Sequence, residues 1–454
     1  MADIQKVLAS VPRWLSDLMS TDPGHIAAAA TDFGRIVRHR PAAVFRPRTH
    51  RDVAEIVQVA RDQAVSVAAR GQGNSGFGQA QARGGFVIEM SGLAEIGVVQ
   101  NDAVWVDAGV KWATLLDRTM ASRQAPPAVT DYLHLSVGGT LSVGGISGTS
   151  FRYGAQVDNV LALKVVTGDG DLVECSPHDN PDLFDACRAG LGQVGIVVAA
   201  RARLTHVPSH VRVYNLQYDD LGEFLDDQTR LADDGRFDYL HGTVVAVEPG
   251  RHMMMLEAAV RFPWGAPPDD RRLLDGLCHM RDRTTIADHA YITFARRVDL
   301  YVLGLRALGV WDVPHPWINL FVPASEAKAI YARQMKALAG PRDGMILSFP
   351  LRRSRCRAPL LMMPDDERLF LCDLLRNVVP GSKEPVDSLL LANRRTWLDA
   401  TKVGARMYPI GSVPFEAGDW EGHFGSEWHR LCSAKARFDP ARILGIGRGI
   451  FPPP

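Results

Sequence analysis

The sequence predicts an α+β fold in two units, the first split around the second. Three observations predict it: the length, the irregular mixture of helix and strand signals before position 205, and the return of that texture at the end of the chain. A chain of 454 residues exceeds the size at which one hydrophobic core stops growing. Helical and strand periods alternate through the first unit without the regular repeat of a doubly wound dinucleotide fold. After Arg203 the texture changes to longer polar helices mixed with strands. From about Gly404 it becomes glycine- and aromatic-rich again, as a unit interrupted by an insertion would.

Taken in order, Thr49 with Asp52 three residues on has the form of a capping box, and Val53, Ile56, Val57 and Ala60 follow at helical spacing. The run 65–69 reads as a strand entering the loop Arg70-Gly71-Gln72-Gly73-Asn74-Ser75. Strands are predicted at 85–90 and 104–109, and a helix at 111–123 with Trp112, Leu115 and Leu116 on one side. A second glycine-rich segment spans 138–148, and two apolar runs within 161–174 flank the hairpin-turn residues Thr167-Gly168-Asp169-Gly170. In the second unit 221–231 reads as helix, 242–247 and 253–260 as strands, and the Pro-rich, charged patch 263–272 as a loop.

Composition narrows the partners. The 51 Lys and Arg residues are balanced by 51 Asp and Glu, so no excess charge is available for nucleic acid or an anionic membrane surface. A neutral small molecule or a compact cofactor is the expected partner. Asp3, Lys6, Arg13 and Asp17 interrupt every candidate apolar window in residues 1–30, so no signal peptide is expected, and no apolar run reaches membrane-spanning length. The six cysteines, 175, 187, 278, 356, 372 and 432, show no metal-ligand spacing; they read as free, mostly buried thiols of a cytoplasmic protein, and no metal is expected.

Two segments carry candidate chemistry. Gly71 and Gly73 remove the Cβ atoms that would hold a ligand away from the backbone, and they permit the positive φ of a nest of N–H groups, so the loop can cradle a pyrophosphate. Five glycines among residues 138–148 exceed the needs of one turn, although a tight loop or close helix packing also accounts for them.

An ordered set of motifs then resembles the FAD-dependent cytokinin dehydrogenases of the vanillyl-alcohol-oxidase-like, PCMH-type flavoprotein superfamily. It comprises the loop 70–79, Thr130-Asp131-Tyr132-Leu133-His134, Ser136 to Ser142, Gly144-Gly145-Ile146-Ser147-Gly148, Phe151-Arg152-Tyr153-Gly154, Leu191-Gly192-Gln193-Val194-Gly195-Ile196, Phe237-Asp238-Tyr239, His315-Pro316-Trp317-Ile318-Asn319, His423-Phe424-Gly425, Trp428, Lys435 and Asp439-Pro440. The resemblance implies an FAD-binding domain made of 1–205 and 404–454 around a substrate-binding α+β domain at 206–403 with an antiparallel sheet. It places Arg70, Gly71, Gln72, Gly73, Asn74, Ser75, Gln79, Asp131, Ser136, Gly139, Ser142, Ile146 and Ile196 along FAD, with Tyr408 closing the flavin side. Arg70 is the one positive charge of the loop, so backbone N–H groups are expected to make most of the pyrophosphate contacts.

The resemblance also implies a C–N dehydrogenation of a cytokinin or related amine, with hydride passing to flavin N5 and Asp131, a partly desolvated carboxylate, as base. Two departures qualify this. Family members carry a flavin-linking histidine where this chain has Asn74, and no cysteine stands at 147–151 to replace it, so FAD is expected to bind non-covalently. A glutamate at the mouth of the family's channel is His241 here, which changes the charge offered to substrate. His241 and Trp317 are candidate substrate contacts beside Asp131, His134 reads as a hydrogen-bonded structural residue in an apolar context, and Arg352-Arg353-Ser354-Arg355 as a solvated loop. The electron acceptor is expected to be oxygen or a quinone-like molecule. An alcohol or natural-product intermediate as donor, and a flavin binder without redox turnover, stand as the alternative readings.

Overall fold

The computed structural model describes residues 4–9, 11–382 and 384–452. Strands Ala43–Phe45 and Val67–Arg70 both run parallel to Phe86–Glu89, which lies between them, and Met19–Ser20 pairs antiparallel at one edge. The crossover helix His50–Asp62 starts where the sequence predicts. Thr49 Oγ1 accepts the Asp52 N–H at 3.1 Å and the Asp52 carboxylate accepts the Thr49 N–H at 2.9 Å, while Val53, Ile56, Val57 and Ala60 are buried. A second, antiparallel sheet orders Ala103–Asp107, Gly195–Arg203, Val160–Thr167 and Leu172–Cys175, with the predicted turn at 167–170 joining the last two. The helix expected at 111–123 spans Trp112–Met120.

The middle of the chain builds an eight-stranded antiparallel sheet. Its order is Thr285–Ala290, His210–Tyr218, Arg251–Phe262, Tyr239–Glu248, Gly344–Arg352, Arg368–Arg376, Ile318–Pro323 and Arg406–Met407. Side chains alternate across such a sheet, and here the two faces differ in chemistry. One face meets helices Leu221–Asp234 and Ala324–Met335: Ser348 Oγ donates to Gln228 Oε1 at 2.9 Å and accepts the Tyr331 hydroxyl at 2.8 Å, and Cys372 Sγ donates to Gln334 Oε1. The opposite face carries Tyr239, His241, Phe349, Leu371, Phe321, Asp373 and Asn319. The patch 263–272 is not loop throughout, because Asp269 caps a short helix Asp270–Leu274 through the N–H groups of Arg271 and Arg272.

Residues near the end of the chain pair with strand Val67–Arg70. Ile443 carbonyl accepts the Val67 N–H at 2.8 Å, and Leu444 bridges Val67 in parallel. Four cysteines are buried, whereas Cys278 is exposed and Cys432 half-buried. Among the described residues no helix is long and apolar enough to cross a membrane, and no cluster of His, Cys, Asp and Glu could hold a metal.

His423 gives this end of the chain a pH response. It lies buried among Phe415, Trp420 and Phe424, and burial, aided by Arg406 and Arg448, lowers its pKa to about 3. A folded-state pKa below the unfolded value near 6.5 means that the unfolded chain takes the proton first. Its contribution is therefore complete above about pH 6.5 and is lost toward pH 3, at roughly 1.4 kcal/mol per pH unit. His423→Phe is expected to flatten this acid-side slope in urea titrations; an unchanged slope would refute the assignment.

Candidate functional site

Strand Val67–Arg70 delivers the first glycine loop, and the segment at Phe33 and Gly34 fixes its carbonyls. Phe33 N–H donates to Gly73 O at 2.8 Å and Gly34 N–H to Ser75 O at 3.0 Å. The five N–H groups of Gly71 to Ser75 donate to no other group among the described residues. This free row of donors has the chemistry to hold an anionic group such as a pyrophosphate. Gly73 holds φ at +68°, where a side chain would be strained and its Cβ would lie 2.3 Å from the Arg70 guanidinium. A Cβ on Gly71 would lie 2.0 Å from Ser136 Oγ, so the loop closes on the start of helix Val137–Leu141, where Gly139 also borders Ser136.

Arg70 donates to the carbonyls of Thr31 at 2.8 Å and Ala28 at 3.3 Å, which ties it to the neighbouring segment, burial lowers its pKa, and it lines the open cavity beside Gly73 and Asn74. Ser75 Oγ donates to Asp32 at 3.0 Å, as does Gly78 N–H at 2.7 Å, while burial raises the Asp32 pKa against these bonds. Gln79 Oε1 accepts the Phe77 N–H, and its Nε2 is buried without a partner.

Asn74, Gln72 and Gly73 line an open cavity of ≈ 600 Å³ with Lys111, Tyr132, His134 and the helix Arg297–Ala307. His134 is half-exposed and its Nε2 pairs with Asp299 of that helix at 3.1 Å, so it is hydrogen-bonded but not enclosed in an apolar interior.

Asp131 is held by side chains distant in sequence. The Tyr239 hydroxyl donates to it, 2.8 Å from each carboxylate oxygen, and Arg297 Nη2 approaches Oδ1 at 3.3 Å. Arg297 also donates to the Tyr239 oxygen at 2.5 Å and to Glu257 at 2.7 Å, and its guanidinium lies over the Phe294 and Tyr239 rings. Burial pulls the Arg297 pKa down, but Tyr239, Asp131 and Glu257 together leave it above its ordinary value. His241 presents Nδ1 to Asp131 Oδ2 at 3.6 Å, stacks on Phe349 with ring centroids 4.7 Å apart, and leaves Nε2 buried without a partner. Burial lowers the His241 pKa against the pull of Asp131 and Glu257, so the ring is neutral near pH 7.

Tyr408 accepts the Gly145 N–H on its hydroxyl at 3.0 Å, which fixes the second glycine segment beside Ile146. Ser142 Oγ bonds to the Gly138 carbonyl, and Ile196 is buried in strand Gly195–Arg203. The Trp317 ring packs on Phe33 and His315, with centroids 5.2 and 5.5 Å away. The segment expected as a solvated loop is instead regular, with Arg352 ending strand Gly344–Arg352 and Arg353–Arg355 forming a 3-10 turn, while Arg352 pairs with Glu367 at 3.2 Å. Sequence reasoning missed the roles of Tyr239, Glu257 and Arg297. Tyr239 had a signal in the Phe-Asp-Tyr motif, whereas Arg297 lies 166 residues from Asp131 and had none.

Residues 41–176 match the family model described as FAD binding domain, and residues 268–451 match that described as "Cytokinin dehydrogenase 1, FAD and cytokinin binding". The chain is 38% identical over 435 residues to an uncharacterized oxidoreductase, ORF5, of the fasciation locus of Rhodococcoides fascians, covering 95% of this chain and 99% of the relative. Cytokinin dehydrogenase 5 of Oryza sativa subsp. japonica is 37% identical, with 96% of this chain and 91% of the relative covered, and cytokinin dehydrogenase 2 of Arabidopsis thaliana 34%, with 97% and 95%. The chain therefore belongs to the cytokinin dehydrogenase family of FAD-dependent oxidoreductases.

Proposed function

We propose that this enzyme dehydrogenates a C–N bond of a cytokinin or related amine, with Asp131 as the base and FAD held without a covalent link. The observation that carries this reading is the Asp131 carboxylate, fixed by Tyr239 and Arg297, with His241 on its other side. When bound, FAD supplies the hydride acceptor at N5. Asp131 takes the proton of the amine N–H as the adjacent C–H bond gives up its hydrogen with the electron pair and the C=N bond forms. Neutral His241 offers the buried Nε2 as a hydrogen-bond partner to the substrate. The free N–H groups of Gly71 to Ser75, with Gln79, Ser136, Gly139, Ser142, Ile146, Ile196 and Tyr408, would hold the cofactor. In this reading 1–205 and 404–454 form the FAD-binding domain and 206–403 the substrate-binding domain, with the short strand Arg406–Met407 stitching the two at Leu320 and Phe321.

The Asn74 carboxamide cannot bond to the flavin ring. Acid precipitation is expected to leave a colourless pellet and yellow supernatant; colour retained on the pellet would overturn this.

Anaerobic mixing with isopentenyladenine is expected to bleach the flavin band. His241, where the family carries glutamate, favours a second reading in which the donor is an alcohol or natural-product intermediate. Bleaching by alcohols and not by isopentenyladenine would select it. Oxygen or a quinone-like acceptor would then reoxidise the flavin.

A further inference from the structure

The side of the large sheet that carries Tyr239 and His241 bears a second set of polar groups that the chemistry at Asp131 does not use. Register places Thr243, Leu347, Asp373 and Asn319 in one row across four strands, two residues along from the row through Phe349, Leu371 and Phe321. Asp373 lies two strands from His241, so the two ends of this floor are roughly 12 Å apart, the span of a fused ring system with its substituents.

Both residues are deep, Asn319 at 0% and Asp373 at 6% exposure. No hydrogen bond of ordinary geometry reaches the Asn319 amide, Asp373 Oδ1 or the indole N–H of Trp317 two residues before Asn319, although the Asn319 amide lies near enough to the Asp373 carboxyl to draw its pKa down. Native interiors rarely leave such atoms open, and a bound molecule would complete the pairing of the Asn319 amide and Asp373 Oδ1, which the register sets side by side. The neighbouring backbone makes room for the amide: a Cβ on Gly411 would lie 2.3 Å from Asn319 Oδ1. The Tyr408 N–H donates to the Asn319 carbonyl at 2.8 Å, so the pair adjoins the segment that fixes Gly145.

We propose that Asp373 and Asn319 form a second polar subsite of the ligand pocket, which takes the amide-like edge of a heteroaromatic ring, an N–H beside a ring carbonyl or ring nitrogen. The carboxyl and the carboxamide together offer both a donor and an acceptor to such an edge. Two ring systems carry it, the pyrimidine end of the flavin and the purine of an adenine-type substrate, so the proposal rests on the reading of this site as an FAD and amine pocket. Burial raises the Asp373 pKa to about 7 against the pull of the Asn319 amide. The titratable groups beside it, Tyr408 on the closing segment and Tyr331 and Cys372 toward the helices, are kept protonated by burial. Asp373 is thus the group of this set that changes state near neutrality.

The test titrates apoprotein with FAD, and holoenzyme with isopentenyladenine, for the wild type, Asp373→Leu and Asp373→Asn. Asp373→Leu is expected to weaken one of the two bindings by roughly tenfold or more. Asp373→Asn, which keeps polar atoms in place, should lose less but abolish the change in that affinity between about pH 6 and pH 8. The arm that moves identifies the ring. If Asp373→Leu does not fold, the pH dependence in Asp373→Asn decides alone. Wild-type affinities flat across that range and unchanged in the folded variants, in both arms, would overturn the proposal and leave the pair as an interior bridge. Failure of isopentenyladenine to bleach the flavin is a separate result, because the FAD arm reads without turnover.

Discussion

Asp131→Asn is expected to slow flavin reduction by roughly 10²–10⁴-fold while leaving the fold and FAD content intact. Asparagine has nearly the same shape, its oxygen can still accept the Tyr239 hydroxyl, and Arg297 retains Glu257 at 2.7 Å, so the surrounding network has little reason to rearrange. What is lost is the capacity to take a proton from the substrate N–H. Anaerobic stopped-flow reduction, with absorbance and unfolding temperature as controls, separates this from a binding defect. A variant that reduced its flavin at the wild-type rate would remove Asp131 as the base.

The largest expected effect on stability lies at Lys435, far from the base. Its Nζ donates to Asp439 at 2.6 Å, to the Gln193 carbonyl at 2.7 Å and to the Leu444 carbonyl at 2.9 Å, and Asp439 in turn accepts the N–H groups of Ile443 and Leu444. The two side chains are 3% and 0% exposed. Burial pushes the lysine pKa down and the aspartate pKa up, each opposed by its partner, so removing one charge strands the other in the interior. Lys435→Met is expected to cost about 3–5 kcal/mol. Lys435→Met with Asp439→Leu should recover part of that loss, since no isolated charge remains. The segment tied down here pairs with Val67 and adjoins the strand that begins at Gly195, so FAD retention should fall with stability. Urea unfolding of Lys435→Met indistinguishable from wild type would contradict this.

The parts of the fold legible in the sequence were those fixed by local chemistry. The Thr49 and Asp52 box, the turn at 167–170 and the periodic strands needed nothing beyond their neighbours. The helix Arg297–Ala307 was not legible, because Leu300 and Leu303 are exposed and no apolar stripe marks its inner face. Its consequences were hidden with it: Arg297 reaches Asp131, and Asp299 reaches His134, only through the tertiary fold. Arg70 shows the converse. Its place beside the loop suggested a ligand charge, and it also binds the carbonyls of residues 28 and 31, which are invisible as neighbours in sequence. Asp131 and His241 could be named from motifs, yet their meeting at 3.6 Å depends on strand Tyr239–Glu248 presenting alternate residues to one face.

Product analysis of a single anaerobic turnover tests the central claim most directly. A C–N dehydrogenation leaves an imine that water splits into free amine and aldehyde, so isopentenyladenine mixed with excess oxidised enzyme should yield adenine in proportion to the flavin bleached. Flavin that stays oxidised in its presence, or bleaching without release of adenine, would contradict the account.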